Sequence, residues 1–141
     1  MREILFKAKR KDNGEWVEGY YRRIPCMGLH GHYIMPQNPK NRLEQYEIDP
    51  DTLCQYTGLT DKNGRKIWEN DILELPDEDG YFTCEWEEDT ARFVMNGDGL
   101  TVNFDNYWGY QTEVVGNIFD NADLLEVEWY GKTITWTENI P

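Results

Sequence analysis

The sequence predicts a mainly β, β-rich α+β fold: a small SH3-like barrel or rolled antiparallel sheet with one or two short helices. Apolar residues alternate with polar ones at a period of two over most of the chain, which is the pattern of half-buried strands. Gly, Asn and Asp punctuate these runs at hairpin spacing. Aromatic residues make up 14% of a chain whose hydrophobic share is 39%, so the apolar area sits in a few large rings.

Taken in order, Ile4, Phe6 and Ala8 alternate with Leu5, Lys7 and Lys9. Asp12-Asn13-Gly14 then supplies turn chemistry before a run through Trp16, Val17, Tyr20 and Tyr21, which predicts an N-terminal hairpin. From about Cys26 to Asn41 the period is lost among Gly28, Gly31, Pro36 and Pro39, which predicts a long loop. Asp61-Lys62-Asn63-Gly64 predicts a tight turn between Leu59 and Ile67: Asn and Gly accept positive φ, and the Asp side chain bonds nearby backbone N–H groups. Trp68-Glu69-Asn70-Asp71-Ile72-Leu73 leads from a second turn into a strand, and Leu75 to Gly80 reads as a polar connection. Phe82, Cys84 and Trp86 share one face, with Thr83, Glu85 and Glu87 on the other. Runs through Ala91, Phe93 and Met95, then Leu100, Val102 and Phe104, complete a three-stranded meander with one wet face. Val114 to Phe119 is a further strand, and Asp120 or Asn121 caps a single helical turn through Ala122, Leu124 and Leu125. Val127–Tyr130 and Thr133–Trp136 flank Gly131-Lys132, a connection that suits a type II′ hairpin. No repeat, low-complexity tract or composition break appears, so the expected organisation is one β domain over 1–126 and a C-terminal hairpin extension over 127–141.

Across 141 residues, 14 Lys and Arg face 27 Asp and Glu, a net charge of −13 that repels duplex DNA at long range. The charge is uneven. Residues 1–42 hold nine basic and four acidic residues, a net of +5, while residues 43–141 hold five and 23, a net of −18. Opposite-signed parts pair within the chain or head to tail between copies, so a homo-oligomer is expected. Cys26, Cys54 and Cys84 are odd in number and widely spaced, a poor disulfide framework that suits a reducing cytoplasm. The N-terminus lacks an apolar h-region and no run reaches the roughly 18–20 apolar residues that span a bilayer, so a cytoplasmic protein without membrane contact is expected.

Candidate chemistries fare poorly. Asp61-x-Asn63-Gly64 resembles the start of a calcium loop, but the fifth and twelfth places hold Arg65 and Ile72. Cys26-x₃-His30-x-His32 with Cys54 or Cys84 offers tetrahedral N/S donors, yet only one close ligand pair is present and Cys84 has core parity; the alternative is buried Cys and solvent-exposed His. The chain has no serine, its two histidines share one loop, and nothing is placed to orient the imidazole of a Cys26/His30 dyad. Phosphate-cradling glycine patterns are absent. The expectation is therefore no catalytic residue, no cofactor and no metal.

The stretch Gln55-Tyr56-Thr57-Gly58-Leu59-Thr60-Asp61-Lys62-Asn63-Gly64-Arg65-Lys66-Ile67-Trp68-Glu69-Asn70-Asp71-Ile72 resembles the signature of the YopX family, small proteins of phages and prophages. Arg2 to Ala8, and Val114 to Asn121 followed by Leu124-Leu125, agree with it in order and spacing, so the resemblance frames about residues 1–126. It implies a mostly β fold and self-assembly, and carries over no catalytic residue. Asn70 departs from the pattern, where the family more often places Gly; Asn is the next most tolerant residue of a left-handed backbone.

Binding is what the sequence leaves. Lys7, Lys9, Arg10, Lys11, Arg22 and Arg23, with Trp16, Tyr20 and Tyr21 nearby, are candidates for subunit contact or for a single-stranded nucleic-acid platform. Asp77, Glu78, Asp79, Glu85, Glu87, Glu88 and Asp89 are candidates for an acidic surface that meets a host or phage protein, or mimics DNA toward a DNA-binding one. The expected function is a non-enzymatic accessory protein that binds another macromolecule.

Overall fold

A computed structural model describes residues 3–24, 31–76, 78–97, 99–104 and 111–125. Within the single β domain that the sequence suggests, the chain divides into two compact units, Met1–Gly58 and Leu59–Pro141. Both are antiparallel; the rolled sheet fits them, and no closed barrel forms among the described residues.

The first unit orders its strands β4-β3-β2-β1-β5, with β1 Phe6–Lys9, β2 Trp16–Ile24, β3 Gly31–Pro36, β4 Tyr46–Glu47 and the start of β5 Cys54–Thr60. The expected hairpin is β1–β2, in the register Lys7↔Glu18 and Lys9↔Trp16. Its turn works as the residue types require: Gly14 takes φ +74°, and Asn13 Oδ1 accepts from the Glu15 N–H at 2.9 Å. Ala8, Ile34 and Ile48 are fully buried, with Phe6, Val17, Tyr21 and Leu53 packed around them. Burying an Ile side chain contributes about 1.5–3 kcal/mol, so Ile34 and Ile48 dominate this small core.

The expected long loop over 26–41 is corrected by β3. Six residues from Gly31 to Pro36 pair with β2, from Ile24↔Gly31 to Gly19↔Pro36. The alternation of Tyr33, Ile34 and Met35 spans only three positions between a Gly and a Pro, too short to register as a period, whereas pairing to β2 on one side and to Tyr46–Glu47 and Ile48 on the other gives the segment's backbone its partners.

The second unit holds β6 Lys66–Trp68, β7 Asp71–Glu74, β8 Phe82–Glu87, β9 Arg92–Gly97, β10 Leu100–Asn103 and β11 Glu113–Asn117. Its five-stranded sheet runs β10-β9-β8-β7-β11. The meander β8–β9–β10 forms as expected, with Cys84↔Met95 and Met95↔Val102 in register. Phe82, Cys84, Met95, Leu73, Leu75, Ile67 and Val114 make the core, joined by the partly buried Leu59, Phe93, Val102 and Phe104. Two details differ from expectation. Trp86 has core parity but remains 41% exposed: near the strand's end its ring packs on its cross-strand partner Phe93, edge to face at 5.0 Å, and its indole N–H donates to the exposed Glu88. Ala91 lies in the turn before β9 with φ +54°, so that strand begins one residue later. A helical turn occupies 122–125 as expected. The hairpin expected over 127–136 lies outside the described residues.

Candidate functional site

The signature turn is organised by one carboxylate. Asp61 is 2% exposed, and its Oδ1 accepts from the backbone N–H of Asn63 and Arg65, each at 2.9 Å. Its Oδ2 accepts from the Val114 N–H at 2.9 Å, tying the turn to β11, 53 residues away. Burial pushes the carboxyl upward, but the N–H groups of Val114, Arg65 and Asn63, with the charge of Arg65, outweigh it and hold Asp61 below the usual carboxylate range. The Arg65 guanidinium adds a 3.1 Å bond to the Val114 carbonyl, and the Lys62 N–H donates to the Thr112 carbonyl at 2.9 Å.

The next turn explains the departure at Asn70. This residue takes φ +72°, donates its N–H to the Cys84 carbonyl at 2.7 Å and accepts from the Ile118 N–H at 3.1 Å. A left-handed residue is required there, and Asn supplies it as Gly would. Asp71, 2% exposed, accepts the Trp68 N–H at 2.8 Å. At the third motif, a Cβ on Gly116 would stand 2.5 Å from Asn121 Oδ1, the atom that accepts the Asn117 N–H at 3.1 Å. Glycine makes room there for an asparagine cap.

Around that scaffold opens a concavity of about 350 Å³, lined by Lys62, Glu74, Leu75, Pro76, Glu78, Asp79, Gly80, Gln111 and Glu113. Lys62 is the cation of the set and pairs with Glu113 at 3.2 Å. Glu74, Glu78 and Asp79 are exposed, so the mouth carries uncompensated negative charge.

The six basic residues singled out in the sequence do not share one face. Lys7 and Lys9 stand over the Trp16 ring, at 4.6 and 5.5 Å from its centroid. Arg10 pairs with Asp12 at 2.7 Å and lies 4.1 Å over Tyr46; the bond to Asp12 holds the guanidinium above its ordinary value and the carboxyl below. Lys11 pairs with Glu47 at 3.2 Å. Arg22 and Arg23 are exposed on opposite faces of β2. Of the acidic set, Glu78 and Asp79 line the concavity, Asp89 is exposed and Asp77 lies outside the described residues. Glu85 accepts from Thr83 Oγ1 and Asn96 Nδ2, Glu87 from Thr90 and Arg92, and Glu88 from the Trp86 indole N–H.

The YopX protein family model matches residues 5–126, a span that contains the Asp61 turn, Asn70 and the Gly116–Asn121 cap. The chain belongs to the YopX family. A solved structure, that of protein EF1440 from Enterococcus faecalis, is similar with a TM-score of 0.54 at 21% identity, covering 89% of this chain and 99% of that one; the likeness concerns the fold. No curated protein matches.

In this YopX chain the signature residues thus hold turns and a strand junction, and the exposed chemistry lies beside them. Cys54 donates its thiol to the Thr52 carbonyl at 3.2 Å, and Cys84 is core. His32 is not the solvent-facing histidine expected: its Nδ1 bonds the Tyr21 hydroxyl, and the two rings stack at 5.8 Å and 9°. Cys26 and His30 lie outside the described residues. Among the described residues no three metal-ligating side chains are grouped, and no helix is long and apolar enough to cross a membrane. Sequence reasoning did not assign Lys62, Glu74, Gln111 or Glu113 to one concavity, since only the β7–β11 pairing Glu113↔Glu74 brings them together. Nor did it list Tyr33 and Met35 beside the basic residues, because β3 was hidden.

Proposed function

We propose that this YopX protein is a non-enzymatic accessory module of phage or prophage origin that acts in the host cytoplasm by docking its acidic second unit onto a basic surface of another protein. One observation supports this above the others: the division between units also divides the charge. Residues 1–58 hold nine basic and eight acidic residues, a net of +1, whereas residues 59–141 hold five and 19, a net of −14. Such a field accelerates encounter with a cationic partner and disfavours acidic ones. The exposed rim of Glu74, Glu78 and Asp79 is the place where that charge meets a concave surface.

A labelled oligo-lysine peptide, titrated by fluorescence anisotropy, tests it. Affinity is expected to fall about tenfold in the E74Q/E78Q/D79N variant and to fall steeply with salt. If E85Q/E87Q/E88Q removes binding instead, the hydrogen-bonded carboxylates of β8 and the turn after it form the contact, the fixed spacing that a DNA mimic needs. Binding insensitive to both variants overturns the reading.

The opposite signs of residues 1–42, net +5, and residues 43–141, net −18, support self-association. Light scattering at low salt is expected to give a mass above the 16.8 kDa chain, falling toward it as salt rises. A constant monomer mass at all concentrations removes self-association without touching the docking reading.

A further inference from the structure

The first unit carries a partly exposed sheet face, open at Glu18, Tyr20 and Arg22, whose composition is unusual for a wet surface. Residues directly opposite on antiparallel strands share a face, so the registers Lys7↔Glu18, Lys9↔Trp16, Tyr20↔Met35 and Arg22↔Tyr33 place all eight side chains on one side of β1–β2–β3. The opposite side holds Phe6, Ala8, Val17, Tyr21 and Ile34 and is the core. A solvated face ordinarily alternates polar residues outward; these eight are three aromatic rings, a methionine and three cations against Glu18, and the next carboxylate, Glu47 opposite Tyr33 on β4, is paired with Lys11. Tyr20 is 47% exposed and Arg22 is exposed, and Lys7 and Lys9 are held over Trp16 at 4.6 and 5.5 Å.

The geometry points to this face as a platform for single-stranded nucleic acid, with bases on the rings of Tyr20 and Tyr33 and phosphates on Arg22 and on Lys7 and Lys9, which Trp16 holds in place beneath them. Tyr20 and Tyr33 are diagonal neighbours, about 7–8 Å apart at the backbone, within reach of consecutive aromatic contacts. Base-on-ring stacking contributes about 1–3 kcal/mol per base and needs no particular sequence. An acidic protein surface fits less well, because the faces of aromatic rings are themselves negative and would oppose carboxylates laid on them. A duplex hides the base faces that the rings require. The net charge of −13 opposes long-range approach, but beyond about 8 Å that repulsion is screened at physiological ionic strength, so complementarity at contact decides. The platform is independent of the acidic rim and goes beyond the docking proposed above.

A fluorescein-labelled oligothymidylate of about 12 nucleotides, titrated into the whole chain at low salt, tests it. Saturable binding is expected, with log affinity falling against log salt at a slope of about −2 for three phosphate contacts. Tyr20→Ala, at an exposed position where truncation leaves the fold intact by circular dichroism, is expected to weaken binding about tenfold, and Tyr20→Trp to preserve it. Lys7→Gln with Lys9→Gln is expected to flatten the slope toward −1. Absence of binding by the folded protein overturns the proposal. So does equal affinity for oligo-glutamate, or a Tyr20→Ala variant that binds as the parent does, since either marks a plain anion patch. The oligo-lysine titration is expected to be unchanged in the Tyr20 variants, which separates failure here from failure of the acidic-rim docking.

Discussion

Asp61→Ala is expected to lower stability by roughly 3 kcal/mol, read as a lower urea midpoint at unchanged slope. The variant strips the acceptor from three N–H groups, of which that of Val114 is buried, and releases the turn from β11. The effect is expected to depend on pH in a definite direction. Because the folded carboxyl lies below its ordinary value, its contribution is fully present above about pH 4 and is lost as pH falls through the folded value. The gap between parent and variant therefore narrows on acidification from neutral pH to pH 3. A gap that is constant or widens would show that the side chain acts through packing rather than as a carboxylate acceptor.

Gly19→Ala is expected to cost a similar amount for an unrelated reason. A Cβ at this position would stand 2.0 Å from the Met35 carbonyl oxygen and 2.7 Å from its carbon, both backbone atoms of β3. No rotamer relieves that contact, so β2 and β3 must separate, which costs about 3 kcal/mol by analogy with overpacked cores. Gly14→Ala makes the control: at φ +74° with nothing within 4 Å, it carries only the left-handed backbone penalty of about 1 kcal/mol. Equal losses for the two variants would sink the close-approach account. In the Gly19 variant the nucleic-acid platform is expected to fail together with the β2–β3 pairing, since Tyr20, Arg22 and Tyr33 meet only through that register.

Much of the fold was legible where period and turn chemistry agree within a short window. The β1–β2 hairpin, the β8–β9–β10 meander and the Asp61 turn each combine alternation with Asn, Asp or Gly at the required place. The need for a left-handed residue at Asn70 was legible too, and its φ of +72° bears that out. What escaped depended on partners distant in sequence. Strand β3 is defined by six pairs to β2 rather than by its own period, and Trp86 obeys the alternation yet ends exposed because the strand outruns its core. The basic residues looked like one stripe on parity alone; Asp12, Glu47 and Trp16 divide them among separate partners.

By itself the sequence determined the β class, the family, the turn residues and the sign and unevenness of the charge, because these follow from residue type and local spacing. Only the tertiary structure decided that Asp61 holds β11, that Glu74 and Glu113 face a common concavity and that Tyr20, Arg22 and Tyr33 share a wet face. Those juxtapositions rest on strand register. A shift of one residue sends every side chain of a strand to the opposite face, and that choice is made by burial and cross-strand pairing rather than by any local signal.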